Sequence, residues 1–213
     1  MRFKHLSRAF VFDSMNRLRY GSGAPRYAER VWIEPDRCND YVSPKAIKKL
    51  TKLRLRQSSG VVVKSPWPSV DVFPVNSLEK MVYCFSHWSE GLSWEDYCAE
   101  CFMLDKIAKF GRYDECADLQ DVKKRFEGLD VVFNEIKNSG GFKVRDRIRK
   151  GGFRESGGVL IHIGADGVPF FSGAGCHRFA MAKILNLPFP AQIGCVHESA
   201  IPYLSVLRKR PLS

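Results

Sequence analysis

Apolar residues fall every three or four positions through the middle of the chain and run together or alternate towards its end, so the two stretches predict different elements. Leu119, Val122, Phe126, Leu129, Phe133 and Ile136 trace one face of a helix that Gly140-Gly141 stops. Upstream, the helical pattern begins at Ser77 and breaks at Gly91, giving one helix over Ser77 to Glu90. Ser93 followed three residues later by Asp96 is a capping-box signature, which predicts a second helix running to Phe110.

Before this helical stretch the pattern is shorter and more broken. Residues 1–29 read as a basic lead-in punctuated by Gly21-Ser22-Gly23-Ala24-Pro25, with Arg17-Leu18-Arg19 as either helix or arm. Arg30 to Ile33 reads as a short strand stopped by Pro35. Ser43-Pro44 opens a helix with serine as cap and proline in the first turn. Val61 to Val63 reads as a buried strand, and Pro66-Trp67-Pro68 as a turn.

The last third changes period. Gly158 to Gly164 predicts a strand, Asp166-Gly167 a tight hairpin turn, and Val168 to Phe171 the returning strand. A glycine loop then feeds a helix to about Asn186, and after Pro188-Phe189-Pro190 the run Ala191 to Val196 predicts another strand. Within the first of these strands His162 alternates with Ile161 and Ile163, so it faces the opposite side as a structural histidine.

At 213 residues and 45% hydrophobic content the chain can bury a core of its own. The formal charge of +11 favours polyanionic partners such as nucleotides, nucleic acid or an anionic surface. Seven cysteines, an odd and scattered set, fit a reduced cytoplasmic setting better than a disulfide framework. No stretch approaches the ~20 apolar residues that span a bilayer, and Ala9 to Phe12 is too short for a signal segment, so the expected state is soluble.

The densest chemistry lies at Gly173-Ala174-Gly175-Cys176-His177-Arg178, where two glycines, a thiol, an imidazole and a guanidinium meet at a loop-to-helix junction. Unpaired N–H groups and the positive end of a helix dipole attract an anion there, and Arg178 adds a planar donor fork suited to phosphate.

Asp166-Gly167, Gly175-Cys176-His177-Arg178, Ala180, Ala182-Lys183 and Leu187-Pro188 together resemble the ParB/sulfiredoxin superfamily. The close match covers about residues 155–197, and Trp32-Ile33-Glu34-Pro35 resembles that superfamily's opening strand. The resemblance implies an α+β fold: a mixed sheet with helices. The core would be residues 30–64 and 141–213, with 65–140 a helical insertion and 1–29 the lead-in. It also implies nucleotide phosphate binding at Gly173, Ala174, Gly175, Cys176, His177 and Arg178, with Mg²⁺ bridging the phosphates. The superfamily's activities include nucleotide hydrolysis, phosphoryl transfer, ATP-dependent thiol chemistry and nuclease activity, and fold does not choose among them.

Individual residues read more than one way. Cys176 stands where sulfiredoxins place a reactive cysteine, and a thiol beside a helix N-terminus, His177 and Arg178 is expected to have a lowered pKa; the competing reading is a small residue tolerated in a phosphate loop. Glu34 and Glu155 are the catalytic carboxylate candidates, each equally readable as a surface acid. Cys84 and His87 on one helix and Cys98 and Cys101 on the next have spacing that zinc could use, although cysteine is also a common core residue. The run Lys45, Lys48, Lys49, Lys52, Arg54, Arg56 and the run Lys143, Arg145, Arg147, Arg149, Lys150 could track a phosphate backbone or be solvated faces, the second on a strand.

The expected function is therefore nucleotide binding with ATP- or CTP-dependent phosphoryl transfer or hydrolysis on a small molecule. The alternatives are a DNA-associated ParB-like module or nuclease working through the basic surface, and sulfiredoxin-like thiol chemistry at Cys176.

Overall fold

The computed structural model describes residues 2–65, 67, 71–148 and 151–211. Its sheet is organised around strand β7 (Phe189–His197), which pairs on both edges. On one edge β5 (Val159–Ile163) runs parallel to it, Val159 level with Ala191 and Ile161 with Ile193. Two strands share the other edge. β1 (Arg30–Ile33) lies antiparallel along the first half, and β3 (Val62–Val63) parallel along the end, Val62 opposite Val196. Beyond β5 come β6 (Pro169–Phe171), β2 (Asp40–Val42) and β4 (Val72–Pro74), giving the order β1-β7-β5-β6-β2-β4. This is a mixed sheet with helices, an α+β architecture.

Both faces are covered, which is why β5 is buried at every position. Val159, Ile161 and Ile163 join Ala191 and Ile193 on the face packed by helix α7 (Cys176–Leu185). On the opposite face Cys195 meets Val42, Val63 and the buried Ala46 and Ile47 of α2 (Pro44–Thr51). His162 belongs to that side, where its Nδ1 accepts the Cys195 N–H at 2.9 Å.

Local signals set most of the helices. The Ser43 hydroxyl accepts the Ala46 N–H and Pro44 fills the first turn of α2. α3 (Glu79–Glu90) ends at Gly91 with φ 79°, and α5 (Leu119–Ser139) at Gly140 with φ 62°. Helix α1 (Arg2–Tyr20) takes up Arg17 to Arg19, so the lead-in is helix rather than arm. The hairpin turn puts Asp166 and Gly167 at φ 58° and 77°, as its Asp-Gly sequence demands.

Three expectations are corrected. Ser93 and Asp96 do exchange reciprocal bonds of 3.0 Å, yet α4 begins only at Ala99 and runs to Phe110. The reason is Trp94, whose ring stacks on Phe126 at 4.5 Å and on His87 at 3.8 Å, so the chain must turn there before the helix starts. The alternating basic run is not a strand: Arg145–Ile148 forms one helical turn, α6, and Arg149 and Lys150 lie outside the described residues. Within the helical segment 65–140, Val72–Pro74 joins the sheet as β4. The predicted turn at Pro66 and Pro68 falls outside the described residues.

Helices α3 and α5 pack on α7, and α4 packs on α5. Met81, Cys84, Met103, Val122, Phe126 and Phe133 share one apolar cluster with Phe179, Ala180, Met181 and the sheet. That contact places the helical segment directly over the glycine loop. Among the described residues, no helix is long and apolar enough to cross a membrane.

Candidate functional site

The loop between β6 and α7 is tied to the neighbouring strand by its backbone. Ser172 N–H donates to Leu160 O, and Leu160 N–H donates to Ala174 O, both at 3.1 Å. Gly175 then caps α7 at φ 91°, and a Cβ there would lie 2.9 Å from the Cα of Val159. Only glycine brings the loop this close to β5 with this conformation. The first turn of α7 is thereby held facing a cleft of about 610 Å³ between the loop and helices α3, α4 and α5.

Gly173 to His177 form one wall of the cleft. The others carry Arg56, Lys80, Lys106 and Arg125, with Phe102 and Tyr113 between them. Lys80 lies over the Tyr113 ring at 4.4 Å and Lys106 over the Phe102 ring at 5.0 Å. Arg56 is anchored by donating to Gly158 O at 3.0 Å and to Gln192 Oε1 at 3.2 Å. The Nε of Arg125 is buried and has no hydrogen-bond partner among the described residues, although its Nη2 lies 3.5 Å from Asp114. Asp114 also pairs with Lys80. Burial alone would raise its carboxyl, but Lys80 and Arg125 outweigh that and hold it below the usual carboxylate range.

The three junction side chains take separate directions. His177 is buried, its Nε2 2.8 Å from the Tyr83 hydroxyl. Burial, together with Lys80 and Arg125, pushes its pKa down to about 3, so the imidazole is neutral. Cys176 donates its thiol to Gly173 O at 3.1 Å, and burial pushes it up to about 11. This reverses the lowered pKa expected from the helix terminus, because desolvation exceeds the dipole's help. Arg178 leaves the cleft altogether. It donates to Lys143 O at 3.0 Å, lies over the Phe142 ring, and lines a separate apolar pocket with Leu129, Ile136, Ile148 and Met181.

The carboxylate candidates lie elsewhere. Glu155 is 1% exposed, accepts from Arg30 Nε at 2.9 Å and from the Arg145 N–H at 3.3 Å, and serves as a buried anchor. Glu34 is exposed beside Trp32 and Arg37, on a pocket lined also by Pro169 and Val206. Of the carboxylates that do line the cleft, Glu79 opens α3 and Asp114 comes from the α4–α5 connection, and neither carried a sequence signal.

The four proposed zinc ligands are not gathered. Cys84 is buried in the core, while His87 Nε2 is 2.9 Å from Asp130, which also accepts the indole N–H groups of Trp88 and Trp94. Cys98 and Cys101 are exposed on the next helix. Among the described residues, no group of three or more His, Cys, Asp or Glu side chains is placed to hold a metal ion.

Comparison with protein-family models finds no match, and comparisons with curated proteins and with solved structures find none either.

Sequence reading reached the loop wall of this site and missed the opposite one. Lys80, Lys106 and Arg125 sit on three different helices, and each looks in sequence like an ordinary solvated charge.

Proposed function

We propose that the protein binds the phosphates of a nucleoside triphosphate in the cleft between the α7 N-terminus and helices α3, α4 and α5, and acts on them by phosphoryl transfer or hydrolysis. One observation carries the reading: a helix N-terminus and four basic side chains line a single concave space. Three of those side chains come from the helical segment, so the cationic charge that the resemblance would assign to Arg178 is supplied instead by Lys80, Lys106 and Arg125. Cations and backbone N–H groups placed in advance stabilise charge that develops on a transferred phosphoryl group. Phe102 and Tyr113 offer flat apolar surface for a base.

Two carboxylates line the cleft, Asp114 and the exposed Glu79. Asp114 is engaged by two cations, so Glu79 in the first turn of α3 would be the carboxylate to hold a Mg²⁺ ion, which would offset phosphate charge there. Most of the charge that the cleft presents to phosphate is cationic.

The test is thermal stability with ATP, CTP, GTP and UTP, with and without Mg²⁺, on the wild type and on Lys106→Ala and Arg125→Gln. At a hundredfold excess over Kd, mass action adds about 2.7 kcal/mol, which for a chain of this size raises Tm by roughly 5–10 °C. The expected result is such a shift with one nucleotide, reduced in both variants. No shift with any of the four overturns the reading.

A second reading rests on α2, where Lys45, Lys48, Lys49 and Lys52 are exposed together. Such a face suits contact with a nucleic-acid backbone, and its sign is a steep loss of oligonucleotide affinity with rising salt.

A further inference from the structure

Cys98 and Cys101 differ from every other cysteine in the chain. Cys38, Cys84, Cys116 and Cys195 are buried, and Cys176 is half-buried with its thiol bonded to the loop. Burial pushes the Cys38 and Cys195 thiols up to about 12, which leaves them inert. Cys98 and Cys101 are both exposed, three residues apart, with their sulfurs 2.7 Å from each other.

The backbone holds this pair ready. Cys98 is the N-cap of α4 with φ 54°, and Cys101 lies in the helix's first turn. The Phe102 N–H donates to Cys98 O at 3.0 Å, closing the turn that contains both residues. Upstream, Cys98 N–H donates to Glu95 O at 2.9 Å and Ala99 N–H to Trp94 O at 3.0 Å, with the Trp94 ring fixed in its aromatic stack. Two thiols on one ordered helical turn need little backbone movement to reach disulfide geometry.

We propose that Cys98 and Cys101 form a redox-active dithiol that exchanges with low-molecular-weight disulfides of the glutathione type. Cys98 thiolate attacks one sulfur of the disulfide and displaces the first glutathione thiolate, leaving a mixed disulfide. Cys101 thiolate then attacks the Cys98 sulfur, closing the internal bond and releasing the second glutathione. The protein loses two thiol protons and two electrons, and both pairs appear in the two glutathione thiols. The sulfur contact with Cys98 is the largest of the effects that raise the Cys101 thiol. Phe102 and Lys106, further along α4, line the cleft, so the bond locks the turn from which that wall is built.

The experiment equilibrates the full chain in glutathione buffers of graded reduced-to-oxidised ratio, quenches with acid, alkylates in denaturant and maps peptides by mass. The expected result is a Cys98–Cys101 peptide that loses two hydrogens as the ratio becomes oxidising and regains them with dithiothreitol, while the four buried cysteines remain alkylated. Cys101→Ser is expected to stop at a glutathione adduct on Cys98. Full alkylation of both thiols at every ratio overturns the proposal, as do glutathione adducts on the wild type with no internal bond.

Discussion

The Tyr83 hydroxyl and His177 Nε2 lie 2.8 Å apart, buried, and join the helical segment to the first turn of α7. Burial pushes the phenol well above its ordinary range and the imidazole down to about 3, so two neutral groups share this bond. Removing the hydroxyl strands a buried ring nitrogen, and an unsatisfied buried polar group costs about 1–3 kcal/mol. Tyr83→Phe is therefore expected to lower Tm by roughly 2–10 °C. Differential scanning calorimetry checks this, and an unchanged Tm would show that the bond carries no stability.

Two buried histidines make the fold sensitive to mild acid. His162 and His177 both fall to about 3 in the folded chain, from an ordinary value near 6.5, His162 through burial alone. Below pH 6.5 the unfolded chain takes up protons that the folded chain refuses, so stability falls as pH drops from 6.5 towards 3 and is fully present above 6.5. The two histidines add, so the pair gives a slope of roughly 3 kcal/mol per pH unit near pH 5. Urea midpoints from pH 7.5 down to 4.5 should show this loss, with His177→Gln roughly halving it. A flat profile would contradict the burial of both rings.

Gly173 and Gly175 differ although both have positive φ, 82° and 91°. A Cβ at Gly173 meets nothing within 4 Å, whereas at Gly175 it meets Val159 backbone at 2.9 Å. Gly173→Ala is expected to cost only the conformational strain, about 1–2 kcal/mol. Gly175→Ala should cost distinctly more, because β5 and the loop must separate. Chemical denaturation of the two variants side by side decides the order.

Arg178 and Lys106 should exchange the roles that the sequence pattern suggests. Arg178→Ala removes a bond to Lys143 O outside the cleft, so nucleotide-dependent stabilisation is expected to persist. Lys106→Ala leaves the core untouched and should weaken it. If Arg178→Ala alone abolishes the thermal shift, the phosphates lie somewhere other than this cleft.

Glu155 is expected to behave as a structural residue. Its carboxylate is buried, paired with Arg30 and accepting the Arg145 N–H, so its removal takes out a buried anchor. Glu155→Ala should destabilise the fold by about 3 kcal/mol. At a temperature where the variant is still folded, nucleotide affinity should match the wild type, measured by calorimetric titration. A folded variant that binds normally and has lost turnover would restore Glu155 as a catalytic group.

Much of this architecture was legible in the residues because its causes are local. The period of Leu119 to Ile136, the Ser43-Pro44 cap, the Asp166-Gly167 turn and the alternation of His162 with Ile161 and Ile163 each act within a few residues, and each stands as read. What failed locally had a distant cause: the Ser93 capping box formed, yet α4 waits until Ala99 because Trp94 must reach Phe126. The site divides along the same line. The glycine loop was readable because its backbone demands are written into consecutive residues. Its other wall was not, because Lys80, Lys106 and Arg125 are brought together only when α3 and α5 bury apolar faces against α7 and α4 packs on α5. Likewise, chain order places Arg178 beside the loop, but the packing of Phe142 and the Lys143 carbonyl turns it away. By itself the sequence determined the elements and the anion-attracting turn; only the tertiary structure decided which charges face it, since side-chain direction follows from packing between segments far apart in the chain.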